Sequence, residues 1–113
     1  MLRIGQSGQD ITQWPSGDSR PVLATKLAMK VIAERVGLPV FREQDDLDWF
    51  TGLSMRDSSI GPILVMRHDG NALGLSAFYV DVGQEVDRAQ REIAVIFSLT
   101  DNEIEWRLNT SGK

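Results

Sequence analysis

Cysteine is absent from this 113-residue chain, histidine occurs once (His68), and lysine is confined to Lys26, Lys30 and Lys113. Without thiols there is no disulfide framework, no thiolate nucleophile and no cysteine-ligated zinc or iron–sulfur centre. Long apolar runs are missing too. No stretch approaches the ~18 residues of a membrane span, and the opening residues hold no basic segment followed by an apolar run of the signal-peptide kind. The expected location is cytoplasmic, in a protein of bacterial style. Positive charge is in deficit: 12 Lys and Arg stand against 16 Asp and Glu, giving a formal charge of −4 and a pI near 4.9. Nucleic-acid binding rests on clustered Lys and Arg that neutralise phosphates, so this balance argues against it and favours another protein with a basic surface as partner.

What is present is ordinary globular material, with 42% hydrophobic and 25% charged side chains in a length suited to one domain over residues 1–113. Charge is uneven along it. Residues 1–42 carry six basic and three acidic side chains, residues 43–113 six basic and thirteen acidic. The densest acidic stretches are Glu43, Asp45, Asp46 and Asp48, then Asp81, Glu85 and Asp87, then Asp101, Glu103 and Glu105. Gathered on one face they would steer a cationic partner; scattered, they would serve only solubility.

The residue pattern predicts an α+β fold: one main N-terminal helix, with a short second helix as an option, packed on an antiparallel sheet of four or five strands. Residues 1–21 are rich in Gly, Ser, Gln and Asp and read mostly as loop. Over Val22–Val36, Leu23, Leu27 and Val31, with Ala24 and Ala28, recur at helical spacing opposite Lys26, Lys30 and Glu34, and Gly37 and Pro39 stop the run. The short helix would cover 45–51, where Asp45 suits the cap and Asp46 and Asp48 the positive end of the helix dipole. Ser54–Gly61 has turn composition. Ile63–Arg67 and Leu73–Val82 form a hairpin about His68-Asp69-Gly70-Asn71. Residues 84–92 fit a loop better than a short helix carrying Val86 and Ala89. The continuous apolar run Ile93–Leu99 fits a central strand covered on both faces, Thr100–Glu103 a turn, and Ile104–Leu108 a last strand with one wet face. Residues 109–113 read as a frayed tail.

No motif carries catalysis. Asp69 cannot orient the neighbouring His68 in a regular strand, because consecutive side chains point to opposite faces, so His68 reads as a turn residue. The acids at 43–48 lack the mid-loop Gly and twelfth-position Glu of a calcium loop, and no metal is expected. Gly5-Gln6-Ser7-Gly8 fits neither a nucleophile elbow, since Gln9 stands where Gly is needed, nor a P-loop, since no Lys precedes Lys26. Asn109-Thr110-Ser111 is a glycosylation sequon by coincidence. No lysine is placed for a Schiff base, and no cofactor is expected. Trp14, in the Gln13–Gly17 loop, and Trp49 are candidate anchors for a partner, although each also suits core cover.

In general character, being small, acidic, cysteine-free, α+β and without a catalytic constellation, the chain resembles bacterial immunity proteins and other small protein inhibitors, and to a lesser degree acidic secretion chaperones, whose helix after the last strand it lacks. No motif carries this resemblance, so no residue roles transfer. The function expected first is a non-enzymatic protein-binding domain, an inhibitor or immunity type, docking a basic partner through Glu43, Asp45, Asp46, Asp48, Asp81, Glu85 and Asp87, with Trp49 or Trp14 as anchor. The alternatives are a small-molecule-binding or enzymatic domain with a helix–sheet pocket using His68 or an acid from 81–87, and a self-associating structural subunit pairing through Ile104, Trp106 and Leu108 or through an exposed edge. No contact with nucleic acid or membrane is expected.

Overall fold

A computed structural model describes residues 17–44, 49–70 and 73–109. Chain order is β1 (Ser19–Thr25), α1 (Met29–Val36), β2 (Phe41–Gln44), β3 (Trp49–Asp57), β4 (Gly61–His68), β5 (Ser76–Asp81), α2 (Val86–Ile96), a 3-10 turn (Asp101–Glu103) and β6 (Ile104–Arg107). The strands form one antiparallel six-stranded sheet in the order β2-β3-β4-β5-β1-β6. β2 to β5 are a meander of sequence neighbours, and β1 is inserted between β5 and β6.

Both helices cover one face. Cross-strand register places Leu53, Val65, Phe78 and Leu23 in one row. This row and Ile63 and Val80 beside it form one buried cluster with Ile32 and Ala33 of α1, Ala89 and Ile93 of α2, and Phe97. Phe78 and Phe97 meet edge to face with ring centroids 5.0 Å apart, the favoured aromatic geometry. On the opposite face, Phe41 leans edge-on against Phe50 at 6.0 Å. Its ring also fills the space over Gly52, where a Cβ would sit 2.7 Å away.

This arrangement corrects the expected fold. The main N-terminal helix does not exist as drawn: a strand leads, Ser19–Thr25, and α1 occupies only Met29–Val36. Val22, Leu23, Ala24 and Thr25 are all buried, because a strand between two others and covered on both faces is apolar throughout, and such a run is locally indistinguishable from a helix. Pro21, which has no N–H for the ladder, sits where the β1–β5 register shifts. The true inward face of α1 is Met29, Ile32 and Ala33, while Val31 is partly exposed. Among the described residues the sheet has six strands rather than four or five. Residues 86–96 form the longer helix instead of a loop, and they absorb most of the strand expected at 93–99. Of the short helix at 45–51, Trp49 to Thr51 belong to β3, and 45–48 lie outside the described residues, as do 1–16. The hairpin of 63–82 is present, with its second arm starting at Ser76 rather than Leu73, and a strand follows 103 as expected.

Two substitutions in one segment separate helix from strand. Phe97→Ala, at a fully buried ring, is expected to cost about 3–5 kcal/mol; Val95→Ala, at a residue 75% exposed, is expected to move stability by less than about 0.5 kcal/mol. Urea unfolding checks both, and comparable losses would restore a strand buried on both faces.

Candidate functional site

At one corner of the sheet, β2 and β3 pair from Phe41↔Gly52 to Gln44↔Trp49. Antiparallel pairing sets Arg42 opposite Thr51, on the same face as Trp49. Arg42 Nη1 donates to Thr51 Oγ1 at 3.1 Å, and its guanidinium grips Asp69 at two points, Nη2 to Oδ2 at 2.7 Å and Nη1 to Oδ1 at 3.2 Å. The same guanidinium lies 5.7 Å from the centroid of the Trp49 ring, within cation–π range. Asp69 is placed for this because its N–H donates to the Trp49 carbonyl at 2.9 Å, docking the hairpin tip on β3. Hydrogen bonds from Arg42 hold the Asp69 carboxyl below the usual carboxylate range. The result is an indole held against an anchored guanidinium, 44% exposed, with Val40 43% exposed beside the start of β2.

Two open clefts flank α1. One, of about 610 Å³, lies between α1, the 37–40 segment and β3, and its walls include Met29, Ala33, Leu38, Pro39, Val40 and Thr51. The other, about 380 Å³, lies by Ala28 and Met29 and is lined by Thr51, Arg67, His68 and Asp69. His68 ends β4, half-buried, its ring 5.4 Å from Phe50. It lies in the smaller and more polar cleft rather than the apolar one.

The acids divide by place and by task. Glu43 and Trp49 both lie on the β2–β3 pair, but the register that sets Arg42 on the Trp49 face turns Glu43 to the other face, beside Phe50. Asp45, Asp46 and Asp48 belong to the segment joining these strands and, like Trp14, lie outside the described residues. Asp81 is 2% exposed and accepts the Gly83 N–H at 2.8 Å, so it organises the turn out of β5. Glu85 and Asp87 are exposed at the start of α2, where negative charge suits the helix dipole. Glu43 is level with His68 through Phe50, whereas Asp81 follows Val80, which pairs with Ile63 at the far end of β4. About 14 Å of strand spacing and about 20 Å of strand length separate Glu43 from Asp81. Charges that far apart lie well beyond the ~8–10 Å screening length at ordinary salt, so they do not act as one patch. The pattern of residues did not reveal Arg42 and Asp69. Only strand pairing brings them to Trp49, and Val40 was hidden behind the reading of Gly37 and Pro39 as a helix stop.

The most perturbed carboxyl is Glu103, lowered to about 2 by Arg35, which bonds both its oxygens at 2.9 and 2.8 Å, and by the Thr100 backbone N–H. A perturbed carboxyl can mark a reactive group, but this one joins α1 to the 3-10 turn and is structural. Among the described residues, no group of three or more His, Asp or Glu side chains is placed to hold a metal ion, and no helix is long and apolar enough to cross a membrane. Compared with known proteins, the chain matches no family, no curated protein and no solved structure.

Because the folded-state carboxyl of Glu103 titrates below its usual 4.5, its stabilisation is complete above about pH 4.5 and is lost as pH falls toward about 2. Glu103→Gln is therefore expected to lower Tm relative to the parent at pH 7, with the difference closing by pH 2. Thermal unfolding across that range checks it, and a difference independent of pH would remove the ion pair as its cause.

Proposed function

We propose that this chain is a non-enzymatic protein-binding domain of the inhibitor or immunity type, acting in the cytoplasm. Its partner would be another protein with a basic surface, docked at the β2–β3 corner. The single observation that carries this reading is Trp49: an indole 44% exposed, fixed against an Arg42 that is itself fixed by Asp69. Aromatic side chains held in one orientation lose little freedom on binding and are the usual anchors of protein interfaces. The chain segment between Gln44 and Trp49 carries Asp45, Asp46 and Asp48, so a concentrated negative charge adjoins the anchor in sequence, and Glu43 stands on the neighbouring strand. Acids so placed would set association rate and partner sign, while the indole would supply residence time. Asp81, Glu85 and Asp87 are left out of this surface.

The test compares capture by the immobilised parent and by Trp49→Ala from the native cell extract at low salt. A protein retained by the parent, released as salt rises and lost with Trp49→Ala is expected. Identical retention by both overturns the reading. With that protein in hand, amide replacement of Glu43, Asp45, Asp46 and Asp48 is expected to slow association about tenfold and flatten its salt dependence.

The 610 Å³ cleft beside α1 favours one second reading, a binding site for a small apolar molecule, since its walls are largely apolar and open. A rise in Tm with medium-chain fatty acids, abolished by Ala33→Phe, is its expected signature; no shift across such probes removes it.

A further inference from the structure

Both helices lie on one face of the sheet, and the other face has a composition of its own. Cross-strand register sets Phe41, Gly52, Met66, Ala77, Ala24 and Trp106 in one row across all six strands, on the side away from the helices. The next row holds Ser54, Leu64 and Tyr79. An antiparallel sheet with one face in water alternates apolar and polar residues along its strands; here both faces are mostly apolar.

This second face is also dry at its centre. Leu64 is 3% exposed, Phe50 2% and Ser54 2%. Leu64 and Ser54 adjoin Val65 and Leu53, which meet the helices, and consecutive strand residues point to opposite faces, so the helices cannot be what buries them. The Ser54 hydroxyl has no hydrogen-bond partner among the described residues. Side chains on a bare sheet keep their outer side in water, so burial this complete requires a further layer. No helix or strand among the described residues lies on this side.

We infer that residues 1–16 of this chain are that layer, seating Leu2, Ile4, Ile11 and Trp14 on the row that runs from Phe41 to Trp106.

The other stretches outside the described residues are 45–48, 71–72 and 110–113. Between them they supply only Leu47 and Ala72 as apolar side chains, and three of the residues at 45–48 are acids. Residues 1–16 add Met1 to the four apolar side chains just named and carry only Arg3 and Asp10 as charges. Reach is sufficient: six strands span about 24 Å, whereas sixteen residues extend to about 50 Å. The segment enters the sheet at Gly17, in the left-handed conformation at φ 78°, and leads into β1, an interior strand. Its path must cross a face or an end of the sheet, and the helix face is already filled. A backbone group of the covering segment would pair the Ser54 hydroxyl, which is costly to bury alone. Cover from within the chain also avoids the entropy lost when two molecules associate. Of the two roles open to Trp14, this one is core cover.

Trp49 and Arg42 stand on the helix side of the sheet, so this inference and the docking corner can fail separately. The test is nuclear Overhauser spectroscopy on the full chain with labelled methionine methyls. Met66 reports the second face, Met29 and Met55 the helix side. Contacts from the Met66 methyl to at least one of Leu2, Ile4, Ile11 and Trp14 are expected, with none from Met29 or Met55. A Met66 methyl without such contacts overturns the inference. Contacts that arise only between differently labelled copies in a mixed sample overturn it as well, because the occupant is then a second copy. Replacing Leu2, Ile4, Ile11 and Trp14 by Ser in the full chain is expected to raise binding of an apolar dye several-fold while the Met29 and Met55 signals stay in place. Unchanged dye binding counts against the inference, and the parent spectrum decides it whether or not this variant folds.

Discussion

The seating of β1 between β5 and β6 is the constraint on which the rest of the structure depends. β2 to β5 could form from sequence neighbours alone, but the face they present stays open until β1 arrives and brings the helices with it. Thr25, fully buried at the end of β1, is the pivot. Its hydroxyl donates to the Glu103 carbonyl and accepts the Leu27 N–H, so the strand cannot be seated without also placing the turn before β6. The Glu103 side chain in turn holds Arg35 at the end of α1, and Arg35 donates to the Phe97 and Ser98 carbonyls at the end of α2, at 3.4 and 2.9 Å. One guanidinium thus sits where the C-terminal ends of both helices are electronegative. Apolar packing supplies the energy of the core, and this polar chain fixes which way its parts face.

The same economy governs the acidic side chains. A chain with an excess of Asp and Glu invites the picture of one negative face, but Asp81 closes a turn, Glu85 and Asp87 begin a helix, Glu103 holds Arg35, and Asp69 holds Arg42. These groups are spent on local structure in different places. What remains concentrated is the stretch from Glu43 to Asp48, contiguous in sequence and joined directly to Trp49. A docking surface here depends on proximity along the chain, not on convergence of distant segments, and its reach is limited to the β2–β3 corner.

How far the sequence could be read depended on whether an element announces its own ends. The β4–β5 hairpin was legible because Asp69-Gly70 marks the end of its first arm and both arms are apolar. The end of α1 was legible because Gly37 takes the left-handed conformation that a helix terminus favours, at φ 69°. α2 carries no such mark. Its end is closed by Ser98 at φ 55°, with the Leu99 N–H returning to the Ala94 carbonyl, a Schellman-type closure on a residue that composition does not single out. With no visible stop, the apolar run from Ile93 merged with Phe97 and Leu99 and imitated a strand. β1 failed in the opposite sense: burial on both faces erased the alternation that distinguishes strand from helix. At the site, Trp49 and Glu43 were legible as residue types, whereas Arg42 and Asp69 become partners only through two strand pairings that no local pattern encodes.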